Sequence, residues 1–240
     1  MKNILIYSAI VALFLTDCTL IFADKRMKGD GNVTVEQREV TAFDKINIGG
    51  VFNIYLTQGD TESVEVEIDE NLQQYVKVYN KENTLYLNID KGINWGKATR
   101  NNVYVTFKNI DDITVGGVCS VKTTNILNLE NLKLVLNGVS NCSFELKCNQ
   151  LDAKLSGVGN TEIAGEAYEF TAIQDGVGKL KANELKAAIV SIKNSGVGSA
   201  QIYASEELTM KNTGVGSIYY SGDAVIKSIE SGGIGKIRKD

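Results

Sequence analysis

A short glycine motif recurs seven times in the C-terminal half of this 240-residue chain, at a nearly constant interval. Successive copies lie 21, 19, 19, 20, 18 and 19 residues apart. A regular period of this length is typical of a solenoid, in which each repeat is one coil that buries its apolar face only against its neighbours. Each copy is a glycine, a β-branched aliphatic residue and a small residue, and the first glycines are Gly117, Gly138, Gly157, Gly176, Gly196, Gly214 and Gly233.

The positions within each copy, counted from its first glycine as position zero, fall into apolar and polar columns. Positions −6, −4, +1, +4 and +6 are apolar or semi-apolar in nearly every copy, whereas positions −5 and +5 are mostly polar or charged. Apolar residues at every second position predict half-buried strands on both sides of the glycine. The sequence therefore predicts an all-β fold, a single-stranded parallel β-helix (solenoid) whose coils of about 19 residues stack about 4.8 Å apart.

The glycines of the motif are predicted to be structural turn residues. A tight corner repeated in every coil needs a residue with positive φ, which glycine adopts at little cost. Position −2, which is expected to point inward, holds Gln174, Asn194 and Asn212 in the later coils. Because a buried amide has to be hydrogen-bonded, we expect these side chains to bond one another in an internal ladder. The alternative is that the corner turns them towards solvent.

Residues 24–110 precede the glycine-repeat β-helix of residues 111–240 and carry a less regular β pattern. Gly49-Gly50-Val51-Phe52 resembles the repeat motif but lies 67 residues before Gly117. A packed β layer and a set of less regular coils are both compatible with the remaining strands. No linker separates the two parts, which favours one continuous all-β unit.

Residues 1–23 have the features of a secretory signal peptide. A twelve-residue apolar run, Ile4 to Leu15, follows a basic residue and is too short to span a bilayer comfortably. Cleavage at this point leaves Asp24 as the first residue of the exported protein. A second interpretation takes Cys18 as the lipidated residue of a lipoprotein, with an atypical residue before it. Both place the protein in the periplasm, at the outer-membrane surface or outside the cell.

The composition excludes several classes of function. The chain has no histidine, so serine triads, Cys-His nucleophiles and histidine zinc sites cannot form within it. Its net charge is −4 and it has no basic run, so nucleic acid is not an expected partner. Strands rather than a helix follow the glycines, which argues against a phosphate-binding loop. We expect no cofactor and no bound metal.

Three cysteines, Cys119, Cys142 and Cys148, are predicted to be free thiols. An odd number cannot complete a disulfide framework. Cys119 and Cys142 belong to neighbouring coils but differ by two positions, which separates their Cα atoms by about 8 Å, beyond disulfide reach.

Several short segments are similar to those of a known family. They are Gly29-Asp30-Gly31-Asn32-Val33, Arg38-Glu39-Val40, Phe43-Asp44-Lys45-Ile46, Gly50 to Gly59 and Tyr104-Val105-Thr106-Phe107, followed by the glycine repeats. On these residues the chain resembles the head GIN domain family, the "putative auto-transporter adhesin" domains of exported proteins common in Bacteroidetes. The resemblance implies a right-handed single-stranded β-helix and supplies no catalytic residues.

The sequence favours a non-catalytic, exported β-solenoid that binds or adheres at the cell envelope, with an unknown protein or glycan as ligand. The candidate contact residues are Asn94 and Trp95, because an exposed tryptophan on a glycine-flanked loop can stack on a sugar or anchor a partner. The alternative is a carbohydrate-binding or carbohydrate-active, polysaccharide-processing β-helix protein. One observation argues against an enzyme. Asp112 and Asp152 share position −5, and Lys133 lies between them in the same column, so a solvent-exposed row of alternating charges explains these carboxylates.

Self-association through the edge of the last coil is a further expectation, because residues 233–239 leave an unpaired strand. Structural needs account for every column of the glycine motif. The sequence therefore directs the search for a functional surface to the N-terminal third, to the Trp95 loop and to the exposed edges.

Overall fold

The computed structural model describes residues 25–240. The predicted signal peptide and Cys18 lie outside the described residues. The described part is all-β apart from a one-turn helix, α1 (Glu70–Gln73). Its strands are β1 (Lys25–Met27), β2 (Val33–Arg38), β3 (Lys45–Ile48), β4 (Val51–Gln58), β5 (Ser63–Asp69), β6 (Val76–Lys81), β7 (Thr84–Ile89), β8 (Ile93–Trp95), β9 (Asn101–Phe107), β10 (Asp112–Val115), β11 (Val118–Thr123), β12 (Leu127–Asn128), β13 (Asn131–Leu136), β14 (Val139–Leu155), β15 (Val158–Gln174), β16 (Val177–Asn194), β17 (Ala200–Asn212), β18 (Ile218–Ser221), β19 (Val225–Ser231) and β20 (Ile237–Lys239).

The predicted β-helix is confirmed by the strand pairing. One side, here the first side, stacks β7, β3, β10 and β13, then the later halves of β14 to β17, and ends at β19. The second side stacks β9, β4 and β11, then the early halves of β14 to β17, and ends at β18 and β20. All of these pairings are parallel, and the glycine corner joins the two sides in every coil. A short third side runs through β12 and the centres of β14 and β15.

The stack of coils extends into the region before the glycine repeats. Strands β3 and β4 form a regular coil, in which Val51 pairs with Val118 and the Gly50 carbonyl accepts a 2.8 Å hydrogen bond from the Val118 amide. Residues 59–110 then leave the coil and return to it. On the way β7 and β9 extend the stacks, while antiparallel β6, β5 and β2 close the N-terminal end. The sequence was compatible with a packed β layer or with less regular coils in this region, and the structure contains both.

The core of the β-helix is built from the alternating apolar columns. Inward side chains such as Leu134, Val121 and Phe144 are buried from solvent. Burial of one such aliphatic or aromatic side chain contributes about 1.5–3 kcal/mol. At the N-terminal end the core continues under α1, where Ile68 and Leu72 are fully buried. This end of the solenoid is therefore capped.

The motif glycines are required for two different reasons. At position zero, consecutive coils approach so closely that a Cβ on Gly138 would lie 2.0 Å from the Gly117 carbonyl oxygen. The positive φ that the sequence assigned to the corner occurs two residues later, as at Gly178, where φ is 151°. A Cβ at Gly178 would also lie 1.6 Å from the oxygen of Gly159. The first glycines therefore serve close packing, and the second glycines serve the unusual backbone conformation.

The predicted inward direction of the position −2 amides is confirmed, since Gln174, Asn194 and Asn212 are buried. One ladder bond is present, from Asn194 Nδ2 to Asn212 Oδ1 at 3.1 Å. The bonds that all three amides share are different: each donates to the carbonyl of the second motif glycine in its own copy. These bonds are Gln174 to Gly178 at 2.7 Å, Asn194 to Gly198 at 3.2 Å and Asn212 to Gly216 at 2.8 Å. The amides therefore brace the glycine corners from inside.

The N-terminal cap is tied together by one buried carboxylate, Asp69. Its oxygens accept hydrogen bonds from the Gly31 amide at 2.8 Å, the Thr99 hydroxyl at 2.8 Å and the Thr99 amide at 2.7 Å. Burial by itself raises the pKa of Asp69, but the hydrogen bonds from Thr99 and Gly31 favour the charged form and lower the pKa overall. Asp69 thus fixes the Gly29-to-Asn32 segment against the end of the coil stack.

We expect Asp69→Asn to lower the free energy of unfolding by about 2–3 kcal/mol at pH 7, because either amide orientation places an NH2 group against a backbone N–H donor. A folded-state pKa below the unfolded value gives stability that is present above about pH 4 and is lost as the pH falls towards the folded pKa. Urea unfolding at pH 7 and pH 3 measures this difference, which should shrink at the lower pH. The control is Asp30→Asn, since the exposed Asp30 Oδ1 accepts from the Asn32 amide and an asparagine keeps that bond.

Candidate functional site

An unbroken column of β-branched side chains runs along the outside of the second side, at position +1 of every coil. Its members are between 38% and 75% exposed. Their in-register pairing makes the column continuous over eight coils, a length of about 34 Å at the coil spacing. We call it the valine column: Val51, Val118, Val139, Val158, Val177, Val197, Val215 and Ile234.

The sequence analysis assigned a purely structural role to every column of the glycine motif. The exposure of the valine column shows that this interpretation was wrong for position +1. The sequence grouped position +1 with the apolar core columns at +4 and +6. In a strand, however, residues an odd number of positions apart point to opposite faces. Because Thr161 and Ile163 point inward, Val158 has to point outward. The parity of the spacing was the available signal, and it identifies the motif itself as a surface feature.

Polar columns lie beside the valine column on the same face, at positions +3 and +5. Asn53, Asn141 and Asn160 belong to position +3, and the side-chain oxygens of the last two accept from the backbone of the next coil at 3.1 and 3.2 Å. At position +5 near the capped end, Tyr55 stacks on Tyr104 with ring centroids 5.0 Å apart. Together the outward residues at +1, +3 and +5 form what we call the ladder face.

A hydrogen-bonded cluster holds the tyrosine end of the ladder face rigid. The Glu67 carboxylate accepts from Asn102 Nδ2 at 2.7 Å and from the Tyr104 hydroxyl at 2.8 Å. These bonds, with a smaller contribution from Arg100, lower the pKa of Glu67. The hydrogen bond to Glu67 correspondingly raises the pKa of Tyr104. The hydrogen bond from its hydroxyl to Glu67 therefore holds the ring of Tyr104 in place. Because its pKa is lowered, Glu67 is ionised at neutral pH and cannot donate a proton.

An open groove lies at the capped end of the valine column. Val51, Val118 and Val139 form its floor, and the loop from Asp90 to Ile93 forms one wall. The backbone of Asn94 and Trp95 follows this loop in β8 and pairs with β1. The side chains of Asn94 and Trp95 lie outside the described part of the structure. Asn94 and Trp95 thus directly follow Ile93, the last residue of the groove wall, in the chain.

The charged column at position −5 has the character expected from the sequence. Asp112, Lys133 and Asp152 lie opposite one another on consecutive coils, and Lys133 Nζ is 3.2 Å from Asp112 Oδ2. Among residues 25–240, no three acidic or cysteine side chains are grouped so that they could hold a metal ion. The described residues also include no helix with the length and hydropathy needed to cross a membrane.

The three cysteines in the described residues are unpaired. Cys119 lies opposite Ser140 and Cys142 opposite Val121, so the two thiols are two positions out of register on neighbouring coils. Burial raises the pKa of each of the three thiols to about 11. They are therefore protonated at neutral pH and poor nucleophiles.

The fold and the surface define a capped β-solenoid that presents a repetitive face, in which the valine column lies beside columns of polar and charged side chains. The chain belongs to the family described as "Putative auto-transporter adhesin, head GIN domain", whose model matches residues 42–224. The family resemblance seen in the sequence is thereby confirmed. No curated protein matches the chain.

Solved structures of similar proteins share this architecture. A "putative adhesin" from Bacteroides fragilis has 30% identity and a TM-score of 0.87, with 89% of this chain and 100% of that chain covered. A "putative adhesin" from Parabacteroides merdae has 23% identity and a TM-score of 0.69, covering 90% of this chain and 99% of that chain. A "Putative lipid binding protein" from Parabacteroides distasonis has 21% identity and a TM-score of 0.71, covering 90% and 100%. At these identities the two Parabacteroides structures bear on the fold alone.

Proposed function

We propose that the protein is an exported, non-catalytic binding module that attaches to a component of the cell envelope through its ladder face. The observation that carries the proposal is the valine column. Aliphatic side chains that are half exposed in eight consecutive coils are not needed for the core. A contiguous apolar strip on an otherwise polar surface is typical of an interaction site.

The geometry suits an extended ligand better than a compact one. The strip is continuous over eight coils, and the position +3 asparagines, serines and lysines beside it can exchange hydrogen bonds with a polar chain. The hydrogen-bonded backbone of the sheet keeps these groups at fixed positions, which lowers the entropic cost of binding. Membership of the family described as "Putative auto-transporter adhesin, head GIN domain" and the signal-peptide features of residues 1–23 agree with a role outside the inner membrane.

The test is cosedimentation of the protein with purified envelopes, comparing wild type with the triple variant Val139→Thr, Val158→Thr and Val177→Thr. Threonine keeps the shape and strand preference of valine but has a hydroxyl in place of one methyl group. We expect the bound fraction at a fixed concentration to fall at least tenfold, since three half-exposed valines lose apolar contact. The matched control changes two exposed aliphatics elsewhere, Val35→Thr and Ile173→Thr, and should bind like wild type. Equal loss in both variants would contradict the assignment to the ladder face.

The alternative is a glycan-binding or glycan-processing module. The stacked pair Tyr55 and Tyr104 and the position of β8 beside the groove favour it, because aromatic rings bind sugar faces. A glycan array with wild type and Trp95→Ala separates the two: binding that depends on Trp95 supports the glycan module. Cleavage of a glycosidic bond would refute the non-catalytic proposal.

A further inference from the structure

The two ends of the solenoid differ in how they are closed. At the N-terminal end, α1 and the antiparallel strands β5 and β6 cover the core. At the other end, β19 pairs only with β17 and β20 only with β18, so in the described residues the outer edges of both strands have no backbone partner. Every residue of β19 is exposed.

The uncovered end exposes core positions as well as backbone. Ile229 occupies position −4, a column whose members Ile192 and Met210 are buried in the two preceding coils, yet it is 48% exposed. Val225 and Ile226 on the same strand are also exposed. The end therefore presents an apolar cross-section bordered by unpaired N–H and C=O groups, a combination that favours addition of another β layer.

We propose that this end is a dimer interface, in which the last coils of two copies of this chain meet tail to tail. The last coil of a second copy has the same cross-section and the same spacing between its strands. Its apolar side chains can therefore pack against those of the first copy, and its strand edges can pair with those of the first copy. At the N-terminal end the core is covered by α1 and the antiparallel strands, so a head-to-tail contact would bury less apolar surface, and we do not expect a filament. A contact that uses the same end of both copies closes after two subunits.

The charges of β19 suit antiparallel pairing with its own copy. Lys227 lies in the first half of the strand and Glu230 in the second, and both side chains are about half exposed although each has an ion-pair partner on β17. An antiparallel register centred between Ser228 and Ile229 would bring Lys227 of one copy beside Glu230 of the other. Opposite charges that face each other across strands stabilise the pairing.

The size of the surface sets the expected strength of the dimer. Residues 225–239 provide roughly 15 residues per copy, fewer than the 20 to 30 of a standard stable interface. We therefore expect a dissociation constant on the order of 10 µM. At this value roughly 15% of the chains are dimeric near 1 µM and about 80% are dimeric at 100 µM.

Sedimentation velocity of the exported form, residues 24–240, tests the proposal across this concentration range. We expect Ile229→Lys to be monomeric throughout, with at least tenfold weaker association, because it places a charge in the apolar contact. The control is Val158→Lys, which alters an equally exposed aliphatic on the ladder face and should dimerise like wild type. A second variant, Glu230→Lys, changes an exposed residue and should also weaken the dimer through repulsion with Lys227.

Three outcomes would overturn the proposal: a wild-type monomer at 100 µM and above, assemblies that grow beyond the dimer, or dimerisation that both Ile229→Lys and Glu230→Lys leave unchanged. Circular dichroism of each variant confirms that the β-helix is intact. Because Glu230→Lys alters only an exposed position, it keeps the test decisive if Ile229→Lys does not fold.

Discussion

Replacing Gly117 by alanine is expected to lower the free energy of unfolding by at least about 3 kcal/mol, the upper end of overpacking effects. A Cβ at this position would lie 2.1 Å from the Gly50 oxygen and 2.7 Å from the Gly50 nitrogen. Both are backbone atoms of the preceding coil, and the Gly50 oxygen also accepts the hydrogen bond from Val118. The coils therefore cannot separate to make room without breaking the ladder.

The neighbouring glycine provides the control. A Cβ on Gly116 would meet its nearest atom, the Ile48 oxygen, at an ordinary 3.8 Å. Gly116→Ala should therefore change the free energy of unfolding by less than about 1 kcal/mol, and reduced flexibility of the unfolded chain can even stabilise the protein. Urea unfolding followed by far-UV circular dichroism measures both variants. Similar stabilities for the two would show that coil contact does not explain the first motif glycine.

Asn212→Asp is expected to cost about 3–5 kcal/mol at pH 7, because it buries a carboxylate that keeps the hydrogen bond from Asn194 but has no positively charged partner. Asn212 is fully buried, and its amide nitrogen donates to the Gly216 carbonyl at 2.8 Å. An aspartate would turn an acceptor oxygen towards that carbonyl. The carboxyl should therefore have a raised pKa in the folded protein.

The sign of the pH dependence follows from that raised pKa. The penalty is small below the unfolded pKa of about 3.9 and grows as the pH rises towards the folded pKa. Urea unfolding at pH 4 and pH 7 should thus show a larger loss at pH 7. Asn141→Asp is the matched exposed variant, since its side-chain oxygen accepts from the Asn160 amide and an aspartate retains this bond. A pH-independent loss, or an equal loss in Asn141→Asp, would contradict the buried corner-bracing role of Asn212.

Much of the fold could be predicted because each coil repeats one local pattern. The columns at −4 and +4 identify the core, and the stacking register of β11 with β14 follows from aligning Val118 with Val139. The inward direction of Asn194 and Asn212 could be predicted in the same way. Strands β3 and β4 were harder, because 67 residues separate Gly50 from its partner Gly117 and no period connects them.

The functional surface was harder to predict than the fold. Val158 and its equivalents are apolar, and an apolar residue in a repeat is most often part of the core. Their exposure follows from the strand geometry, which fixes the direction of each side chain by parity. Trp95 was singled out because of its residue type, and the groove that adjoins its backbone depends on the path of residues 59–110, for which the sequence has no repeat.

The sequence by itself determined the β-helix, the spacing of its coils and the identity of its core columns, because these depend on contacts between equivalent residues in a periodic chain. The sequence also predicted the unpaired edge of the last coil. The tertiary structure alone decided that no further layer covers the valine column and that a cap closes the N-terminal end. Each depends on which groups remain uncovered when all coils are stacked. A local sequence pattern predicts whether a side chain points inward or outward. Only the complete stack of coils shows whether another part of the protein covers that side chain.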